Sequence, residues 1–220
     1  MIAIQDQTIN TRYYSKYIIK DPNTTTDRCR LCKQQIETVD HITSGCTILV
    51  NTEYPRRHDN VAKIIHQQLA IKHKLIKQHV PTYKYAPQNV LENEEYKLYW
   101  NRTIITDKTT PHNKPDIILT NKKKKLTQLI EISIPNTTNI QKKTGEKIEK
   151  YIQLAEKVKD MRHQDKVDII PIILSTTGVI PYNIHQYSSA IQLHPNVYIQ
   201  LQKSAIIDTC SITRKFLNTM

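Results

Sequence analysis

Two groups of residues in this chain have the types and spacing to hold metal ions, and their chemical characters are opposite. The first is Cys29-x2-Cys32-x8-His41-x4-Cys46, three thiols and an imidazole within eighteen residues. Zinc takes tetrahedral sulfur and nitrogen ligands. A CxxC turn places two thiolates on one side of it, and a histidine and cysteine one helical turn apart can supply the other two. A closed set of four leaves no open position, so zinc here would be structural and would fold a segment too small to fold alone. The alternative is three buried free cysteines beside a surface histidine. Cys210 lies far off and reads as a core thiol.

The second group is Pro115-Asp116-x14-Glu131. Asp116 opens one strand-like run and Glu131 lies inside the next, so a short turn between them can bring the carboxylates together. Hard oxygen ligands, few in number, suit magnesium, which keeps several waters for its substrate. Such an ion activates a water and polarises a phosphodiester oxygen. On the bland reading Asp116 caps a turn and Glu131 faces solvent. Against it stand Leu129, Ile130, Ile132 and Ile134, which leave Glu131 in an apolar setting where an idle charge is costly.

A nuclease of this design wants a lysine two positions after the second carboxylate, and Ser133 stands there. The following amphipathic stretch offers a substitute. Ile148, Tyr151, Ile152, Leu154, Ala155 and Val158 form one arc of a helical wheel, with Glu149, Gln153, Glu156 and Asp160 opposite. Lys147 falls inside the apolar arc and Lys150 on its rim. An inward ammonium there can reach the carboxylates, beside Tyr151, and stabilise charge building on phosphate. A snorkelling lysine is the alternative.

These groups need positioning elements. "TTTDRCRLCKQQIETVDHITSGC" is dense in turn formers. Apolar residues in "RRHDNVAKIIHQQLAIKHKLIKQHV" recur at helical spacing and predict a helix over about 57–79, stopped by Pro81. "YKYAPQNVLEN" reads as a linker or irregular edge. Strands are expected at 96–106, 116–120 and 126–134, the last two joined by "NKKKK". A long helix at 144–163, a buried strand at 166–175 and helices near 183–192 and 197–217 follow. The chain divides into an N-terminal segment with the knuckle (1–55), a helix and linker (56–87) and a mixed α/β region with C-terminal helices (88–220).

Composition narrows the function. The 220 residues carry a formal net charge of +12, with a pI near 9.5. Such a charge attracts polyanions, nucleic acid first and an acidic membrane surface second. Arg28, Arg30, Lys33, Arg56, Arg57 and His58 flank the cysteine cluster, either as a nucleic-acid grip or as a solvated basic rim. Lys122–Lys125 would hold phosphates, serve nuclear import, or simply form a solvated hairpin turn. Three glycines are too few for a phosphate-cradling loop, and no Asp-Asp pair of a polymerase palm occurs. No signal peptide or bilayer-spanning apolar run is present, and the cysteines do not suggest a disulfide framework, so a reducing compartment is expected.

The order of a CCHC knuckle, "RRHDNVAKIIHQQL", Pro-Asp-x14-Glu and a helix with "EKIEKY" resembles the C-terminal end of the polyprotein of non-LTR retrotransposons that carry a restriction-like endonuclease. "QDQTINTRYYSKYI" is similar to the stretch that family places before its knuckle. The resemblance covers nearly the whole chain. It implies a PD-(D/E)xK restriction-endonuclease-like mixed sheet with flanking helices, and a Mg²⁺-dependent nick in target DNA that primes reverse transcription. Carried over, Asp116 and Glu131 become magnesium ligands, Lys147 and Lys150 candidate catalytic lysines shifted onto the helix, and Tyr151 a helper. Cys29, Cys32, His41 and Cys46 become the structural zinc knuckle. The implied partners are target DNA, element RNA and the reverse transcriptase portion of the same polyprotein, which this sequence lacks; the implied location is the nucleus. The competing expectation is an inactive nucleic-acid-binding remnant of such a polyprotein.

Overall fold

The computed structural model describes residues 1–77, 80–107 and 110–218. Its centre is a five-stranded sheet in the order β1 (Val90–Glu92), β2 (Tyr96–Trp100), β3 (Ile117–Asn121), β4 (Leu126–Ser133) and β5 (Lys166–Ile173). The first four strands are successively antiparallel, and β5 lies parallel to β4. A parallel neighbour needs a crossover, supplied here by α3 (Ile140–Met161). Around the sheet stand α1 (Ile2–Gln5), α2 (Glu53–Lys72), α4 (Asn183–Ala190) and α5 (Val197–Leu217).

Successive strand residues point to opposite faces, and the apolar residues sort accordingly. Ile117, Leu119, Ile130 and Ile132 pack with Val61, Ile65 and Leu69 of α2 and with Leu201 and Ala205 of α5. Ile118 and Leu129 pack on the other face against Tyr151, Leu154 and Val158 of α3. Pro171 sits inside β5, where its missing N–H does least harm because β5 is an edge strand. Among the described residues no helix is long and apolar enough to cross a membrane.

The mixed α/β architecture matches the expectation, with shifted boundaries. The helix expected at 57–79 begins at Glu53 and ends at Lys72; residues 78 and 79 lie outside the described set. Its earlier start fits Glu53 and Pro55 in the first turn, where an acidic residue and a missing N–H are both tolerated. The strand expected to reach 106 stops at Trp100, and the stretch read as an irregular edge contains β1. The long helix starts at Ile140, not 144. Ile152, placed in its apolar arc, is 45% exposed, while Tyr151, Leu154, Ala155 and Val158 are buried.

The knuckle is not set apart from the rest. Cys29, Ile42, Cys46 and Leu49 share an apolar cluster with Ile212 and Phe216 near the end of α5. That helix also packs along α2.

Candidate metal centres

The cysteine cluster is built from two turns. One follows an isolated bridge between Arg28 and Ile36, with Lys33 in the left-handed region at φ 59°. The other is a wide five-residue helical turn, His41–Gly45, running into Cys46. Together they bring one ligand atom each from Cys29, Cys32, His41 and Cys46 to within 4.8 Å of one another. Cys29 Sγ lies 3.9 Å from Cys46 Sγ, and Cys32 Sγ lies 3.4 Å from His41 Nε2. Tetrahedral zinc bonds of ordinary length imply edges of about 3.8 Å for S···S and about 3.6 Å for S···N. The cluster therefore has the dimensions to hold a zinc ion.

Its electrostatics fit a cation. Burial pushes the Cys29 thiol up to about 12, against backbone N–H groups that work to lower it. Burial also holds His41 below its usual range, partly opposed by Glu37, and so favours the neutral ring that can ligate. For Cys32 the raising effect of burial is outweighed by the amides of Gln35 and Gln34, which lower it. A central cation would relieve the cost of ionising the buried thiols. Of the basic rim, Arg30 is spent on buried Glu37 at 2.8 Å.

The carboxylate pair follows from sheet register. Ile117 faces Ile130 at the end of the β3–β4 ladder, and one step further Asp116 stands opposite Glu131. Both then point to the α3 face. The Asp116 N–H donates to Glu131 Oε2 at 3.4 Å, and Asp116 Oδ2 accepts the Ile132 N–H at 2.7 Å, beyond the last ladder pair. Glu131 is 3% exposed. Opposed carboxylates repel, and cations answer them. Lys147 Nζ lies 2.6 Å from Glu131 Oε1 and Lys150 Nζ 3.1 Å from the same oxygen. Lys150 also sits 4.6 Å over the Tyr151 ring.

Tyr151 is fully buried, and its hydroxyl donates to the Lys114 carbonyl at 3.0 Å. It therefore anchors the Pro115–Asp116 corner. Burial, then the charge of Glu131, raise its pKa. The five residues expected at this site thus come together.

His58, which the sequence places only in the basic rim, joins them. From the first turns of α2 its Nε2 donates to Asp116 Oδ2 and its Nδ1 to Asp59 Oδ1, each at 3.1 Å. Burial works to lower its pKa, but the hydrogen bonds and charges of Asp116 and Asp59 prevail and lift it to about 10. Burial correspondingly tends to raise Asp116, but His58, the Ile132 amide and Lys147 keep it below the usual carboxylate range. The motif "RRHD" opening an amphipathic helix was the available signal; its contact with a residue 58 positions away was not.

A cavity of about 380 Å³ opens at the carboxylate pair, lined by Asp116, Glu131, His58 and Lys147 and also by Tyr54 and by Ser44 of the knuckle turn. Ser133, standing where a strand lysine was sought, also lines it. Tyr54 links knuckle to cavity: its hydroxyl donates to the Ile42 carbonyl at 2.8 Å and accepts the Cys46 N–H at 3.1 Å. The Arg57 guanidinium lies 5.3 Å over the Tyr54 ring and donates to Thr209 Oγ1 at 3.0 Å. Lys122 and Lys123 pair with Glu92 and Glu95.

No protein-family model matches this chain, and no curated protein matches it in sequence.

Proposed function

We propose that this chain is a magnesium-dependent DNA endonuclease of the restriction-like kind, the terminal part of a retrotransposon polyprotein that nicks chromosomal DNA in the nucleus and leaves a 3′ end to prime reverse transcription. The observation that carries this reading is the convergence of Asp116, Glu131 and Lys147 on one open cavity. The strand order, four antiparallel strands followed by a helix and a parallel strand, supports a PD-(D/E)xK arrangement.

The donor set suits magnesium: two hard carboxylates on adjacent strands, with Asp116 Oδ1 accepting no hydrogen bond among the described residues. When bound, magnesium supplies polarisation of a phosphoryl oxygen and a more acidic water. The protein's own groups do the rest. His58 and the Ile132 amide hold Asp116 Oδ2, turning Oδ1 free. Tyr151 fixes the corner that carries Asp116. Lys147 is placed to hold the attacking water or to neutralise the phosphorane-like charge as the P–O3′ bond breaks, giving a 3′-hydroxyl and a 5′-phosphate. Lys150 remains as counter-charge to Glu131.

One observation favours the second reading, a non-catalytic nucleic-acid-binding module: Glu131 Oε1 already carries two ammonium groups, and Asp116 a histidine. Supercoiled plasmid incubated with the purified protein, with and without magnesium, separates the two. Magnesium-dependent nicking that is lost in Asp116→Ala is the expected result. Plasmid binding without nicking by the parent chain would leave the binding module. The Asp116→Ala control matters because a chelator would strip zinc as well.

A further inference from the structure

The segment before the knuckle turns its aromatic and aliphatic side chains outward. Tyr13, Tyr17, Ile18 and Ile19 are between 40% and 58% exposed, an apolar concentration that marks a contact surface. A wide helical turn, Tyr14–Ile19, carries Tyr17, Ile18 and Ile19, with Tyr13 capping its start and Lys20 closing it in the left-handed region. The two tyrosine rings lie 5.1 Å apart at 47°, with the Lys16 ammonium 5.5 Å over Tyr17. The Tyr17 hydroxyl donates to Asp27 Oδ2 at 2.8 Å, which fixes that ring in place.

Cations interleave with the rings. Arg12 donates to the Arg28 carbonyl at 3.1 Å, Arg28 to the Gln34 carbonyl at 2.7 Å and Lys16 to the Thr25 carbonyl at 3.1 Å. Each is steadied by backbone, and among the described residues none of the three forms an ion pair with a carboxylate. Over residues 12–33 six basic side chains face two acidic ones, Asp21 and Asp27.

We propose that this face is a stacking platform for single-stranded nucleic acid, with bases on Tyr13 and Tyr17 and phosphates on Arg12, Lys16 and Arg28. Aromatic faces beside a positive track are what an unpaired strand needs, because every exposed base has a π-face to stack and every linkage a charge to neutralise. A duplex has its base faces covered. An apolar protein partner would desolvate three cations without compensating them. The proposal rests on the nucleic-acid reading of the chain but not on cleavage: the platform can hold a strand whether or not Asp116 and Glu131 cut one.

The test uses the full zinc-loaded chain without added magnesium, so nicking does not enter. Labelled oligo-dT and oligo-U of about 15 nucleotides, and a duplex of similar length, are titrated at two salt concentrations. Tyr13→Ala with Tyr17→Ala should weaken single-strand binding at least ~10-fold and duplex binding less than ~2-fold, with the single-strand salt dependence unchanged because the cations remain. Tyr13→Phe with Tyr17→Phe should restore the affinity. Unchanged single-strand binding, or equal loss on strand and duplex, would overturn the proposal. So would altered self-association with oligonucleotide binding intact, which would assign the face to a protein contact. If the alanine pair fails to retain zinc, ultraviolet cross-linking of the parent chain to a bromouracil strand decides. Adducts on Tyr13 or Tyr17 support the platform; adducts confined elsewhere sink it. The ratio of oligo-dT to oligo-U affinity assigns DNA or RNA as the bound strand.

Discussion

At the Cys29–Cys32–His41–Cys46 cluster four ligand atoms crowd to within 4.8 Å, and burial pushes the Cys29 thiol up to about 12. At Asp116 and Glu131 two carboxylates also crowd together, but Lys147, Lys150 and His58 already lie against them. The difference teaches which metal is part of the fold. The soft cluster gains its favourable ionised state from an ion, whereas the hard pair carries its own counter-charges and can form without one. On this reading zinc would belong to folding and magnesium to turnover.

The largest effect should come from removing the soft site. Cys32→Ser should abolish zinc uptake and make residues 25–50 protease-sensitive, since structural zinc contributes on the order of 10 kcal/mol in small domains. The sheet should keep its far-ultraviolet signature. The end of α5 should loosen with the knuckle, because Ile212 and Phe216 share its apolar cluster. Metal analysis finding no zinc in protein purified without chelators would erase the contrast between the two centres.

At the hard site activity should collapse, while stability should fall by about 1–2 kcal/mol in Asp116→Ala, which frees His58, and less in Lys147→Ala, which leaves Lys150 on Glu131. Asp116→Ala and Lys147→Ala should each reduce nicking by about 10²-fold or more, with DNA affinity nearly unchanged, because one ammonium acts on the transition state and affinity is spread over many charges. Lys150→Ala should cost only about 10-fold: its contact with Glu131 is longer and it is partly engaged by the Tyr151 ring. Ser133→Lys should partly rescue Lys147→Ala from the strand side. Full nicking by Lys147→Ala would remove that lysine from the site, and full nicking by Asp116→Ala would remove the site.

The two histidines sharpen the comparison further. His41 is held below its ordinary range and His58 is raised to about 10, so ring nitrogen shifts at neutral pH should show His41 neutral and His58 charged. A raised folded-state pKa stabilises fully below the unfolded value of about 6.5 and is lost as pH climbs toward the folded one. Thermal stability should therefore fall by about 1–2 kcal/mol between about pH 7 and 9, discounted for partial exposure, and His58→Gln should flatten that slope. A parent chain whose stability rises over this interval would contradict the His58–Asp116 pairing.

The smallest effect is expected at the lysine turn. Lys122 and Lys123 are engaged by Glu92 and Glu95, so replacing Lys122–Lys125 by serine should lower the salt slope of DNA binding by about 2 units or less. A larger drop would make that turn a phosphate grip after all.

Much of both centres was legible in the sequence because it rested on short-range spacing. The CxxC turn and the His41–Cys46 separation sit within single turns, and the Lys147 direction follows from helical periodicity once Tyr151 and Leu154 define the buried arc. Asp116 opposite Glu131 needed only a short hairpin. What escaped was set by tertiary contact. His58 reaches Asp116 only because α2 packs under the sheet and directs its first turns round the sheet's end. The left-handed Lys33 and the wide turn at 14–19 lack the glycine or proline that usually announces such backbone, and the lone Gly45 did not announce the wide turn at 41–45. β1, three residues long, is too short to show periodicity and is defined by its pairing with β2.

Tyr54 gives the knuckle an unexpected lack of portability. With its hydroxyl tied to the carbonyl of Ile42 and the amide of Cys46, and its ring under Arg57, it makes the zinc turn a wall of the chamber that holds Asp116. Grafting this Cys3His segment onto another protein, or exchanging it for a knuckle of different loop length, would have to carry Tyr54 and the last turns of α5 along with it.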